Sequence, residues 1–129
     1  MINGSIMAEE NYEWLLEQYK VALDVSNIVS ITDANGIIEY VNDKFCDISG
    51  YTPQELLGKP HNIVRHPDMP AKTFKYVWET IQAGKVWKGV IKNRAKDGSD
   101  YVVDSTILPI KDGHGIIRKY IGIRHDITP

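Results

Sequence analysis

At 129 residues and 43% hydrophobic content, the chain is long enough for one domain around one core. Its formal charge of -2 leaves no basic excess to suggest nucleic acid, and no long like-charge run suggests a disordered tail. Cys46 is the only cysteine, which excludes an internal disulfide and a cysteine-based metal cluster.

No apolar run approaches the roughly 18 residues of a membrane span. No charged-then-apolar leader opens the sequence, so a cytoplasmic protein is expected. Residues 1–8 carry no pattern and are expected to be disordered or extraneous. From Glu9 to about residue 26 the pattern is that of an amphipathic helix. Tyr12, Leu16, Tyr19 and Leu23 fall on one face, and Glu9, Glu10 and Glu13 suit its N-terminal turn. Trp14 and Leu15 widen the apolar surface, so the helix packs on its own domain, meets its copy in a homodimer, or does both.

The remaining residues, 27–128, read as one α+β domain. Ile28 to Asp33 and Ile37 to Val41 are short, β-branched strands around Asn35-Gly36, a hairpin signal. Asn42 to Gly50 reads as a short helix ended by glycine, with Cys46 as a packed thiol. Thr52 to Gly58 reads as another, with Thr52 as cap, Pro53 in the first position and Glu55 completing a capping box.

Gly58 to Pro70 is too rich in proline for regular structure and holds His61, Arg65, His66 and Asp68. Ala71 to Ala83 is a helix, with Asp68 as candidate cap, Gly84 as stop, and Phe74, Val77, Trp78 and Ile81 on its apolar face. Three strands close the chain: Val86 to Arg94, Tyr101 to Ile110 and Ile116 to His125.

Alternation sorts each strand into two faces. Trp87, Gly89, Ile91 and Asn93 share an inner side, as do Tyr101, Val103, Ser105 and Ile107. In the last strand, periodicity does not decide between Tyr120, Gly122 and Arg124 and the alternate set. A buried Asn93 bonds either to backbone or to a ligand. With Trp87, Gly89 and Ser105 facing the same space, a concave cofactor site is the sharper reading.

The order of elements resembles the PAS sensor fold, a five-stranded antiparallel sheet with short helices on one face. The resemblance is carried by Ile31-Thr32-Asp33, Tyr40-Val41-Asn42, Ser49-Gly50-Tyr51, Lys96-Asp97-Gly98 and the closing Gly122 to Thr128. Pro60 to Pro70 and Trp87 to Arg94 resemble the aerotaxis-receptor type of that family. A nitrogen-fixation redox regulator has a strand similar to the second of these. Both types bind FAD without covalent attachment and sense redox state, directly or through oxygen.

The resemblance therefore implies a signal-transduction input domain with FAD, held by Trp87, Asn93, Arg65, His66, His61, Ser105, Arg124 and Trp78. It also implies that Tyr120, Gly122 and Arg124 form the inner set of the last strand. Arg124 replaces the glutamine of light-sensing relatives, and a cation there would favour anionic flavin forms. His61 stands where light sensors keep a reactive cysteine, so no cysteinyl adduct is expected.

Heme is the rival cofactor, with His61 or His66 as iron ligand; in a plainer role, His66 bonds to Asp68 and holds the loop. A cofactor-free interaction module is the alternative from another class. No phosphate-cradling loop, nucleophile elbow or helical metal-ligand pair points to an enzyme. The expected partners are a second copy through the N-terminal helix and an output domain or separate signalling protein. The signal would leave through that helix or through Asp126-Ile127-Thr128.

Overall fold

A computed structural model describes residues 2–129, with side chains from Tyr12 onward. Helix α1 (Ile2–Ser26) leads into the hairpin β1 (Ile28–Asp33) and β2 (Ile38–Val41). Helices α2 (Asp43–Ser49) and α3 (Pro53–Leu56) follow, then a 3-10 turn (His61–Val64) and helix α4 (Ala71–Gln82). Strands β3 (Trp87–Arg94), β4 (Asp100–Lys111) and β5 (Ile117–Asp126) complete the chain. The sheet order is β2-β1-β5-β4-β3, with every neighbouring pair antiparallel. The first and last strands thus join the hairpin to the meander.

Local chemistry explains most boundaries. The Asp33 carboxylate accepts the N–H groups of Asn35 and Ile37, and Gly36 takes φ 83°, which a side chain would strain. Asn42 caps α2 by accepting the Phe45 N–H, and Gly50 closes that helix at φ 74°. The Thr52–Glu55 capping box starts α3, and Lys96 ties Glu55 to the β3–β4 turn at 2.7 Å.

The core lies between the sheet's inner face and the helices. Phe45, Leu56, Val64, Val77 and Ile81 pack there against Ile91, Tyr101, Val103 and Tyr120. Alternation sorts β3 and β4 as expected, and Tyr120, Gly122 and Arg124 are the inner set of β5.

Three local expectations need correction. Helix α1 begins at Ile2 rather than near Glu9, so residues 2–8 belong to it and the acidic residues are not in its first turn. Of its predicted stripe, Tyr12, Leu16 and Tyr19 are 66%, 61% and 58% exposed, while Leu23, near the end of the helix, is partly buried. The reason is that α1 is held at its C-terminal end. Tyr40 donates to the Asp24 carboxylate at 2.7 Å, and Asn42 donates to the carbonyls of Asp24 and Asn27.

Nor does Asp68 cap α4. Pro70 occupies the cap position without a side-chain bond, and the Asp68 N–H instead donates to His66 Nδ1 at 3.0 Å. The proline-rich stretch also contains the 3-10 turn, closed by bonds from the Ile63 and Arg65 N–H groups to the carbonyls of Pro60 and Asn62.

Candidate functional site

A cavity of about 200 Å³ lies between the inner sheet face, α4 and the 3-10 turn. A dry cavity of about 150 Å³ admits one benzene ring, so this one has room for an aromatic ring. Its walls are apolar and aromatic: Phe74, Val77, Trp78 and Ile81 from α4, Ile91 and Ile107 from the sheet, and Tyr120. The Trp78 and Tyr120 rings lie 5.2 Å apart, and Trp78 also reaches the Gly36 turn. One end is polar, formed by Ser30, His61, Asn93 and Arg124.

Arg124 sets the electrostatics of that end. It is 5% exposed, and among the described residues no carboxylate lies within ion-pair distance of it. Its Nη1 donates to the Gly122 carbonyl at 3.3 Å, and its Nη2 lies 3.1 Å from His61 Nε2. Burial lowers its pKa to about 10, which leaves it charged at neutral pH. The guanidinium has no lone pair to offer, so Nε2 must be the acceptor and His61 carries its proton on Nδ1. The Ser30 hydroxyl, 2.9 Å from Nε2, then donates to it as well.

Burial first, and then the Arg124 and Arg65 charges, depress the His61 pKa to about 3. The unfolded chain binds this proton near pH 6.5, whereas the folded protein refuses it until about pH 3. Stability contributed by His61 is therefore present above the unfolded pKa and lost as pH falls through that window. At about 1.4 kcal/mol per unit, the wild type should lose about 2 kcal/mol between pH 6.5 and pH 5. Urea titrations at both pH values should show that loss shrink in His61→Gln.

Of the residues singled out in the sequence, His61, Arg65, Trp78, Asn93 and Arg124 line the cavity. Arg65 sits at its mouth, exposed, with its guanidinium 3.9 Å from the Phe74 ring centre. The other three do not line it. His66 is turned to Asp100, with Nε2 2.8 Å from that carboxylate and Nδ1 on the Asp68 N–H, so its part is to hold the loop. Trp87 belongs to the core, where its indole lies back over Gly89 and fills the room expected for something else. Ser105 is buried beneath, opposite Gly89 and Arg124, with no partner for its hydroxyl among the described residues.

Sequence reasoning missed Ser30, Thr32 and Phe74. The first two left a signal: polar side chains at alternate positions of the apolar run Ile28–Asp33, on the same parity as Ile28.

No helix among the described residues is long and apolar enough to cross a membrane. A family model described as the PAS fold matches residues 38–124. The chain is 40% identical to the aerotaxis receptor of Escherichia coli (strain K12) over 92% of its length, covering 23% of that protein. It is 31% identical to a nitrogen fixation regulatory protein of Klebsiella pneumoniae over 88% of its length, covering 22% of that protein. It thus spans under a quarter of either relative. A solved light-oxygen-voltage domain, studied with a flavin analogue, superposes with a TM-score of 0.78 at 23% identity, over 87% of this chain and 85% of that one. This last likeness is one of fold.

Proposed function

The chain belongs to the PAS-fold family of sensory input domains, and from that premise we propose that it binds FAD non-covalently in the inner-face cavity and reports redox state or oxygen. The observation that carries this reading is Arg124, a buried cation without a carboxylate among the described residues, at the closed end of an aromatic-walled cup. A buried charge is costly unless something compensates it. A flat ring system with an electron-rich polar edge satisfies both the walls and the cation.

Trp78 and Tyr120 would flank such a ring, and Asn93 and Arg124 would meet its polar edge. Arg65, exposed and stacked on Phe74, would close the mouth and yield to widen it. Bound FAD supplies reversible electron uptake. The Arg124–His61–Ser30 hydrogen bonds would be the ones to redistribute if the ligand edge beside them changed charge. The same bonds argue against iron ligation: His61 Nε2 is already shared between Ser30 and a cation, and His66 faces Asp100.

We place the domain in the cytoplasm as a homodimer through α1. The exposed side chains of Tyr12, Trp14, Leu16 and Tyr19 support that interface. Trp14→Glu with Leu16→Glu should convert the dimer to monomer in light scattering; an unchanged mass would remove α1 from the interface. An output domain or separate signalling protein would be reached through α1 or Asp126-Ile127-Thr128.

The cofactor is tested by the visible spectrum of the purified protein and by heating without protease. The expected result is an oxidised-flavin spectrum and release of intact FAD. A Soret band, or a colourless protein that takes up no flavin, would sink the proposal.

A further inference from the structure

Gly122 sits in the middle of β5, paired with Ile107 on one side and Ser30 on the other. A glycine inside a strand weakens it and packs nothing. Gly122 is not among the residues with positive φ, so its backbone would accept a side chain. What requires glycine there is Arg124. A Cβ built on Gly122 would lie 2.7 Å from Arg124 Cζ, closer than real Cβ atoms approach, and a tight 3.0 Å from Nη1, so the guanidinium would have to move away.

The arginine therefore lies back along its own strand, over Gly122. Its Cα pairs with Ile28 and Ser105, yet its guanidinium arrives one pair along, beside Ser30 and His61. On the same face, at the β3 edge of the sheet, Trp87 lies over Gly89 in a similar way, but its indole does not line the cavity.

We propose that Gly122 is a specificity-determining residue: by lacking a side chain it positions Arg124 to close the cavity's inner end with N–H donors, so that the site takes planar ligands with an acceptor-rich or anionic edge. Gly122 acts here through Arg124 and is a positioning residue. The two Nη groups spend one bond each on the Gly122 carbonyl and His61, out of the five N–H donors a guanidinium carries. A ligand edge made of donors would meet that cation unfavourably.

The test is a double-mutant cycle of wild type, Gly122→Ala, Arg124→Gln and the pair, with Gly89→Ala as a control that moves Trp87 instead. The first readout uses protein stripped of bound ligand. The His61 imidazole is titrated by NMR; it is faced by Arg124 from β5 and Arg65 from the loop, with Ser30 and Phe45 completing its surroundings. Gly122→Ala and Arg124→Gln should each raise the His61 midpoint, the pair should raise it no further than Arg124→Gln alone, and Gly89→Ala should leave it in place. Additive shifts, or no shift in Gly122→Ala, would overturn the proposal.

The second readout rests on the FAD reading. Gly122→Ala should weaken FAD binding by about tenfold in the wild-type background and by less than about twofold in the Arg124→Gln background. Equal weakening in both backgrounds would also overturn it. If no variant binds FAD while the His61 cycle behaves as expected, the cofactor reading fails and the role of Gly122 stands.

Discussion

Replacing Arg124 by methionine is expected to stabilise the ligand-free protein and to weaken its hold on FAD. The two effects have opposite signs because they come from one cause. Without ligand a buried guanidinium loses its hydration and recovers, among the described residues, only the Gly122 carbonyl and His61 Nε2. An apolar side chain of similar length does not bear that cost, so stability should rise by about 1–3 kcal/mol in urea titrations. With FAD bound, the same substitution removes a charge-assisted hydrogen bond from the ligand's edge. A loss of about 2 kcal/mol, or roughly 30-fold in affinity, follows from what such bonds contribute. A destabilised methionine variant would mean that the contacts to Gly122 and His61 outweigh desolvation. An unchanged affinity would mean that the cation does not meet the ligand.

Asn42→Ala should be among the most destabilising substitutions in the domain, costing about 3–4 kcal/mol. The Asn42 amide makes all the bonds it can. Its oxygen accepts from Val29 N at 3.0 Å and Phe45 N at 3.1 Å, and its nitrogen donates to Asp24 O at 3.2 Å and Asn27 O at 2.7 Å. Alanine uncaps α2, strands the buried Val29 N–H and frees the end of α1.

Asn42→Asp separates these losses. It keeps both acceptor bonds and turns both donations into repulsion between oxygens, so α2 should stay capped while α1 loosens. Hydrogen exchange should then accelerate in the last turns of α1 and hardly change in α2. Uniform acceleration would show that the two helices open together. Asn42 accordingly ties α1 to the residue beside Ser30, whose hydroxyl reaches the cavity.

The sheet was legible because period-two alternation is a local property: the parity of Trp87, Ile91 and Asn93, or of Tyr101, Val103 and Ser105, assigns a face without knowledge of the partner strand. Caps and turns were legible for the same reason, since Thr52 and Glu55 or Asn35 and Gly36 act within a few residues. What parity cannot give is where a long side chain goes after leaving its strand. Trp87 and Arg124 both face inward, yet one lies back over Gly89 in the core and the other over Gly122 into the cavity.

The polar end was illegible as a unit. Ser30, His61 and Arg124 come from three distant segments, joined only once β1 pairs with β5 and the 3-10 turn lies across them. His61 and His66 share a loop without a period, so nothing local said that one would face the cavity and the other Asp100. Asp68 had the sequence of a cap, but Pro70 takes the cap position, and the Asp68 carboxylate accepts no N–H of α4.

The chain's three tryptophans report on three places: Trp14 on the exposed helix, Trp78 in the cavity wall and Trp87 in the core. Their indole N–H resonances can be followed while FAD is added to the stripped protein. Occupation of the inner-face cavity predicts the largest change at Trp78, a smaller one at Trp87 and none at Trp14. A response centred on Trp14, or none at any of them at saturating FAD, would contradict it.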